Sequence, residues 1–180
     1  TLSLREISLQ QYGFITWDND GSFSWLSWNV FKQPVAFLVF LICAFAETNR
    51  TPFDLPECEA ELIGGYHTEY SSMKLGFFLF AEYINMFISS AIISVLFFGG
   101  FNYPGMNWVA ETLGGNAATL LGVGALFAKT FFFIFLFMWV RWTLPRFRYD
   151  QLMYLGWRIL IPISIANIVV TGLVILLLGK

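Results

Sequence analysis

Between two strongly apolar segments lies the stretch AETNRTPFDLPECEAELIGGYHTEYSSMK, which occupies residues 46–74. It contains the only histidine of the chain, His67, together with Arg50 and six of the twelve carboxylates. These carboxylates belong to Glu47, Asp54, Glu57, Glu59, Glu61 and Glu69. Acids this dense beside apolar segments indicate either a solvated loop or a folded polar site.

The residues between the acids favour a folded site. A run of charges is in general more often solvated, but this one is too rich in apolar and aromatic side chains for a disordered tail. Those side chains are Phe53, Leu55, Leu62, Ile63, Tyr66 and Tyr70. Pro52 and Pro56 each restrict the preceding residue to an extended backbone. Residues 50–55 are therefore predicted to leave the preceding helix in a tight, rigid turn.

A helix that begins at Pro56 would place Glu57 and Glu61 on one face, with Glu59 about 200° away at roughly 100° per residue. Two ionised carboxylates on one face repel each other, which tends to raise the pKa of at least one. Such groups suit proton transfer, and they equally suit anchors for basic residues of a partner protein. His67 is expected to be an ordinary loop residue rather than a metal ligand.

The composition indicates an integral membrane protein. Hydrophobic residues make up 57% of the chain, charged residues 12% and aromatic residues 19%. The formal net charge of −2 leaves no basic stripe for nucleic acid. Cys43 and Cys58 are isolated and lack CxxC spacing, so neither a disulfide framework nor an iron–sulfur site is indicated. We expect no metal site and no redox centre in this chain.

The apolar runs predict an all-α fold with four transmembrane helices, at about residues 25–46, 74–98, 117–140 and 159–179. At about 1.5 Å per residue, such runs can cross a hydrocarbon core of roughly 30 Å. Trp25 and Trp28 resemble an aromatic belt at the start of the first span. Without an internal repeat or domain boundary, residues 1–180 are taken as one membrane domain. Because the chain opens at Thr1 without a methionine, we expect it to be part of a longer protein.

The basic residues predict the orientation. With four spans, the acidic loop 47–73 and the basic loop 141–158 share one side of the membrane. That side holds Arg50, Lys74, Arg141, Arg146, Arg148 and Arg158, whereas the other holds Arg5, Lys32 and Lys180. The excess of positive charge places both loops in the cytoplasm or the equivalent mitochondrial matrix.

Two charges lie inside predicted spans. Glu82 is about 12 Å along the helix from Lys74, and Lys129 is about 18 Å from Arg141. Each would cost about 2.5–3.5 kcal/mol if it faced lipid, so each should face protein, water or the other. A structural ion pair, or snorkelling of Lys129, is the alternative to a functional role. Function is favoured, most strongly for Glu82, because its short side chain cannot reach the membrane surface.

Four motifs in order carry a resemblance to a known family: AETNRTPFDLPE, GYHTEYSSMK, FAEYINM and LPRFRYDQLMYLGW. From about residue 30 to its end, the chain resembles the family formed by the H subunit of NADH-quinone oxidoreductase, also called NADH dehydrogenase subunit 1, of respiratory complex I. That family carries further transmembrane helices before this region, so the chain corresponds to its C-terminal half. Cys58 is a small departure, because the family more often has glycine or alanine there.

The resemblance implies a subunit that joins the hydrophilic and membrane arms of the complex and forms part of the quinone tunnel. It assigns Glu47, Glu57, Glu61 and Glu82 to an acidic path that couples quinone reduction to proton pumping, and we add Lys129 as the second charge inside a span. Further candidates for the tunnel and the subunit junction are Arg50, Asp54, Glu59, Glu69, Tyr83, Arg141, Arg146, Arg148, Tyr149 and Asp150.

The same resemblance implies that quinone, either ubiquinone or menaquinone, is the substrate, and that NADH, FMN and iron–sulfur clusters bind to partner subunits. Expected partners are the quinone-reducing and cluster-bearing hydrophilic subunits, the neighbouring membrane subunits and the lipid bilayer, in a bacterial or mitochondrial inner membrane. Two alternatives stay open. One is the homologous subunit of a membrane-bound hydrogenase or ferredoxin-linked complex, and the other is a stand-alone ion transporter.

Overall fold

The computed structural model describes residues 3–11, 28–54, 69–70, 72–103 and 106–178. Within these ranges every regular element is a helix, which confirms the predicted all-α membrane fold. Several residues discussed above lie outside the described residues, so the predictions for them are not addressed by the structure. These are Leu55, Pro56, Glu57, Cys58, Glu59, Glu61, Leu62, Ile63, Tyr66 and His67, with Thr1, Trp25 and Lys180.

Eight α-helices and one π-helical turn make up the described part of the chain. They are α1 Leu4–Gln10, α2 Asn29–Lys32, α3 Pro34–Glu47, α4 Met73–Phe97, α5 Met106–Leu113, α6 Gly115–Thr143, α7 Tyr149–Tyr154, the π turn Leu155–Leu160 and α8 Ile161–Leu178. The helix α7, the π turn and α8 follow one another without a break. The π turn has six residues with the sequence LGWRIL, which includes Arg158, and it directly precedes α8.

Three stretches in the described residues are long and apolar enough to cross a membrane, namely α4, α6 and Tyr149–Leu177. The prediction of four spans is therefore wrong by one. The first apolar run forms α3, whose 14 residues reach about 21 Å and fall short of roughly 30 Å. The physical cause is Pro34, which disfavours a helical backbone at Gln33. Gln33 has φ −136° and ψ 66°, so α2 and α3 do not join into one helix.

The basic loop is much shorter than the predicted residues 141–158. Helix α6 continues through Thr143 and α7 begins at Tyr149, which leaves only residues 144–148 outside a helix. We name this segment the arginine loop. Pro145 lies in it and disfavours a helical backbone at Leu144. The backbone N–H of Arg148 donates to Oε1 of Gln151 at 3.2 Å, which helps to start α7.

Contacts within the chain group into two compact units. The first comprises Thr1–Pro34 and Tyr83–Trp139, and the second comprises Val35–Glu82 and Val140–Lys180. The single membrane domain inferred from the sequence stays a prediction.

The first unit has a small core at the C-terminal half of α4 and in α6. Ile93, Phe133 and Phe137 are almost completely buried, and the rings of Phe133 and Phe98 meet edge to face at 5.1 Å. Serine hydroxyls in α4 donate hydrogen bonds to backbone carbonyls of the preceding turn. Ser94 Oγ, for example, donates to the carbonyl oxygen of Ser90 at 2.8 Å. Such intrahelical bonds let polar residues enter an apolar environment without an orphaned hydroxyl.

The second unit leaves most of its apolar surface uncovered. Within the span Tyr149–Leu177, none of the most apolar 18-residue window is buried. Leu176 and Trp157 are examples, with 80% and 69% of their surface exposed. In a membrane this surface meets lipid or further helices, because apolar side chains have no reason to be hidden from a hydrocarbon solvent.

Candidate functional site

Helix α3 ends at Glu47, and the two residues that follow, Thr48 and Asn49, terminate it. The Thr48 hydroxyl donates to the carbonyl oxygens of Ala44 at 3.0 Å and Phe45 at 3.2 Å. Asn49 follows with a φ of 48°, a left-handed conformation that asparagine tolerates better than most residues. The chain therefore turns sharply away from the α3 axis immediately after Glu47.

The predicted tight turn follows directly. The N–H of Phe53 donates to the carbonyl oxygen of Arg50 at 2.8 Å, and the Thr51–Pro52 peptide bond is cis. Pro52, Phe53 and Asp54 are all buried. We name residues 47–54 the polar turn, because it brings a cation and a carboxylate into the interior on a short, ordered backbone.

Arg50 in the polar turn forms an ion pair with Glu82 of α4. Nε of Arg50 lies 2.9 Å from Oε1 of Glu82, and the two side chains are 7% and 23% exposed. Glu82 is about 14 Å from the start of α4, at about 1.5 Å per residue. A buried guanidinium cannot lose its proton at physiological pH, so it requires an anion or other acceptors close by. Glu82 is one such anion.

A second ion pair links the polar turn to the arginine loop. Oδ2 of Asp54 lies 3.6 Å from Nη2 of Arg146, and the Asp54 side chain is only 4% exposed. Next to it, the N–H of Phe147 donates to the carbonyl oxygen of Pro52 at 2.9 Å, and the rings of Phe53 and Phe147 meet at 5.6 Å. The acidic stretch and the arginine loop are thus joined by a charge pair, a backbone hydrogen bond and a ring contact.

The structure brings together four of the residues that the sequence indicated: Arg50, Asp54, Glu82 and Arg146. The others are placed differently. Arg141 is half-buried in the last turn of α6. The exposed candidates are Glu47, Glu69, Tyr83, Arg148, Tyr149 and Asp150.

Asp150 lines an open cavity of about 370 Å³ on the arginine loop and α7. The other residues around that cavity are Phe147, Gln151, Tyr154 and Leu155. Asp150 also lies in the first turn of α7, where a carboxylate is stabilised by the helix dipole. A second cavity of about 330 Å³ is almost entirely apolar and lies against α3, with Ile42, Cys43, Leu152 and Trp157 among its walls. No sequence pattern indicated either cavity, since both depend on which helices meet.

Lys129 does not lie beside a carboxylate in the described part of the chain. Its ammonium donates to the carbonyl oxygens of Phe98, Gly100 and Asn102 at 2.7, 2.9 and 2.6 Å. The two charges inside spans therefore have different surroundings, because Glu82 faces a guanidinium and Lys129 faces backbone carbonyls.

Sequence reasoning missed a group of buried polar residues near the end of α4. Gln11, Asn102 and Ser8 are almost completely buried and bonded to backbone groups. The available signal was weak, because isolated Gln, Asn and Ser residues in loops are ordinary.

Comparison with known proteins agrees with the motifs. A family model described as NADH dehydrogenase matches residues 1–172. The H subunit of NADH-quinone oxidoreductase from Flavobacterium psychrophilum is 69% identical over 177 residues, which cover 98% of this chain and 48% of that protein. The first of the H subunits of NADH-quinone oxidoreductase from Cytophaga hutchinsonii is 61% identical over 179 residues, covering 98% of this chain and 48% of that protein.

A more distant relative is NADH-quinone oxidoreductase subunit 8 of Rhodothermus marinus, which is 53% identical over 152 residues, 82% of this chain and 45% of that protein. The chain spans about half the length of the curated relatives it matches. The resemblance carried by the four motifs is confirmed over nearly the whole chain. This membrane protein therefore belongs to the NADH dehydrogenase family.

Proposed function

We propose that the chain is part of the membrane subunit of a proton-pumping NADH:quinone oxidoreductase, respiratory complex I, and that it contributes to the quinone tunnel and to the path that couples quinone reduction to proton translocation. The names of its relatives support this reading over a hydrogenase subunit or a transporter. The observation that carries the proposal is the ion pair between the buried Arg50 and Glu82, which lies inside the membrane-spanning helix α4.

The proposed acidic path comprises Glu47, Glu57, Glu61 and Glu82. Glu82 is suited to it because its carboxylate is paired, partly open at 23% exposure, and inside α4. A proton that reaches this carboxylate removes its charge and weakens its hold on Arg50. The protonation state of Glu82 would in this way control the position of the polar turn. Lys129, whose ammonium donates to three carbonyls, is proposed to support this path as the second charge inside a span.

The proposed tunnel and junction lie around the polar turn and the arginine loop. The buried pair of Asp54 and Arg146 would hold the two segments together, while the remaining candidates would face quinone or partner subunits. These candidates are Arg50, Glu59, Glu69, Tyr83, Arg141, Arg148, Tyr149 and Asp150. The quinone would be ubiquinone or menaquinone. NADH, FMN and iron–sulfur clusters would belong to hydrophilic partner subunits.

The proposed orientation has both segments on the cytoplasmic or matrix side of an inner membrane. The hydrogen bond from Phe147 to the carbonyl oxygen of Pro52 supports a common side for the two. The basic residues Arg141, Arg146 and Arg148 favour the side that retains positive charge.

The test is Glu82→Gln in the full-length subunit within its assembled complex. Glutamine keeps the shape of glutamate but cannot bind and release a proton at physiological pH. We expect the complex to assemble and to oxidise NADH with artificial acceptors, while quinone reduction and proton pumping fall together by at least tenfold.

The matched control is Glu111→Gln, which neutralises an exposed carboxylate in α5. It should leave quinone reduction and pumping unchanged. If an assembled Glu82→Gln complex pumps at the rate and stoichiometry of the unmutated enzyme, Glu82 is not on the path.

A further inference from the structure

The C-terminal end of α4 has backbone carbonyls that lack intrahelical hydrogen-bond donors in an apolar part of the protein. The last turn of any helix leaves up to four carbonyls without intrahelical N–H donors. Here the chain leaves the helix through Gly99 and Gly100, whose φ values are 71° and 57°, and the N–H of Gly100 returns to the carbonyl oxygen of Ser94 at 3.0 Å. Carbonyls that are shielded from water must find other donors.

Neutral side chains from the N-terminal part of the chain take several of these carbonyls. The bonds are Gln11 Nε2 to the carbonyl oxygens of Val95 (2.9 Å) and Leu96 (3.1 Å), Asn29 Nδ2 to that of Leu96 (2.9 Å), and Ser8 Oγ to that of Gly99 (2.7 Å). The donors are amides and a hydroxyl, so this part of the cap carries no net charge.

Three carbonyls of the segment that follows α4 converge on one point, which the ammonium of Lys129 occupies. Nζ lies 2.7, 2.9 and 2.6 Å from the carbonyl oxygens of Phe98, Gly100 and Asn102, and 4.9 Å from the ring centroid of Trp28. An ammonium has three N–H donors for three carbonyls, whereas a neutral amine has only two. The face of an indole ring adds attraction for a cation. Every one of these groups favours the charged form.

We propose that residues 98–102 and Trp28 form a binding site for a primary ammonium group, and that Lys129 is the tethered ligand of this site. The site recognises R–NH₃⁺ through three acceptors and one aromatic face. Its occupant fixes the exit turn of α4, so Lys129 is a positioning residue. This inference does not depend on the proposed function.

The first experiment removes the charge but keeps the length of the side chain. Lys129→Met in the full-length subunit, measured in its native complex, should increase hydrogen exchange of the backbone amides of residues 94–102 by at least tenfold, as followed by mass spectrometry. Lys74→Met, at an exposed lysine in the first turn of α4, is the matched control and should leave that segment protected. Unchanged protection in Lys129→Met would overturn the proposal.

The second experiment refills the site and also covers a variant that fails to assemble. Lys129→Ala removes the part of the side chain that corresponds to n-propylammonium. Cells that express this variant are grown with n-propylammonium or with trimethylammonium, which has one N–H donor instead of three. The amount of subunit in membranes should recover at least half of its loss with n-propylammonium only. No recovery, or equal recovery with both ions, would contradict a primary ammonium site. Neither readout uses quinone reduction, so failure here is distinct from failure of the proposed path.

Discussion

Arg50 connects the polar turn to the membrane-spanning part of the protein. It is buried, it cannot be neutralised, and Glu82 is 2.9 Å away. Removal of one partner from a buried ion pair leaves the other charge uncompensated, at a cost on the order of 3 kcal/mol. The effect of a mutation at Arg50 is therefore expected first in assembly and in access of quinone, and only then in proton transfer.

Arg50→Ala should yield less assembled complex or a raised apparent KM for quinone. The physical reason is that the partly buried Glu82 loses the cation that compensates its charge. Native gel electrophoresis of membranes and quinone titration of the purified complex would measure the two effects. Normal amounts of complex with normal quinone kinetics would count against this role of Arg50.

A double variant provides the control. Arg50→Ala combined with Glu82→Gln removes the stranded charge, so it should assemble better than Arg50→Ala alone. Equal assembly of the single and double variants would mean that the uncompensated charge of Glu82 is not the cause of the loss.

The sequence identified which charges matter at this scale, but not their partners. Glu82 and Lys129 stand out in apolar runs because a charge there is costly. The ion pair between Arg50 and Glu82 joins residues that are 32 positions apart, and no spacing along the chain indicates it. Backbone carbonyls occur at every residue, so the sequence could not indicate which three of them bind the ammonium of Lys129. Only the fold brings these groups together.

Asn49 controls the end of α3 through its backbone. Its φ is 48° and its side chain is exposed, so the conformation rather than a contact is what the residue contributes. Asn49→Ala should lower the free energy of unfolding by about 1 kcal/mol, because the left-handed region is strained for alanine. Asn49→Gly should be neutral or stabilising at this position. The midpoint of thermal unfolding of the purified complex would distinguish the two, and equal midpoints would exclude the backbone explanation.

The sequence predicted the helices in the middle of apolar runs well, but it did not predict the helix boundaries next to proline residues. Helix α4 agrees with the predicted span 74–98 within one residue at each end. The first predicted span, residues 25–46, contains Pro34, and there the backbone of Gln33 leaves the helical region and α3 begins as a separate helix. The predicted basic loop shrinks to residues 144–148 because Arg141 and Arg158 lie in helical segments. A cationic residue near the end of a span is compatible with either a loop or a helix, so composition alone cannot place the boundary.

The orientation of the whole molecule can be tested at Cys58. In a Cys43→Ser background, Cys58 should react with a membrane-impermeant thiol reagent only from the cytoplasmic face and after partner subunits have been stripped away. Inside-out vesicles and intact cells give the two faces separately. Labelling of intact cells from outside would reverse the proposed topology, and labelling of the complete complex would mean that no partner subunit covers Cys58.

Family membership was accessible from the sequence because four motifs occur in a fixed order over most of the chain, and the comparisons confirmed it. Fold class was accessible because long, continuous apolar runs indicate membrane-spanning helices. The internal arrangement was not, since polar partners in an apolar protein are chosen by tertiary proximity. The pairing of Asp54 with Arg146 is an example, as no spacing rule relates these two residues.

The hydrogen bond between Phe147 and Pro52 also sets an order for biogenesis. Its two residues are about 95 positions apart, and two membrane-spanning helices, α4 and α6, lie between them in the chain. Chains are made from the N-terminus at roughly 5–20 residues per second, so even at the faster rate the polar turn waits about five seconds while both helices enter the bilayer. During this interval Asp54 cannot pair with Arg146, because the arginine loop has not yet been synthesised. A nascent chain that stalls there would present Asp54 without Arg146 to the quality-control proteases of the membrane.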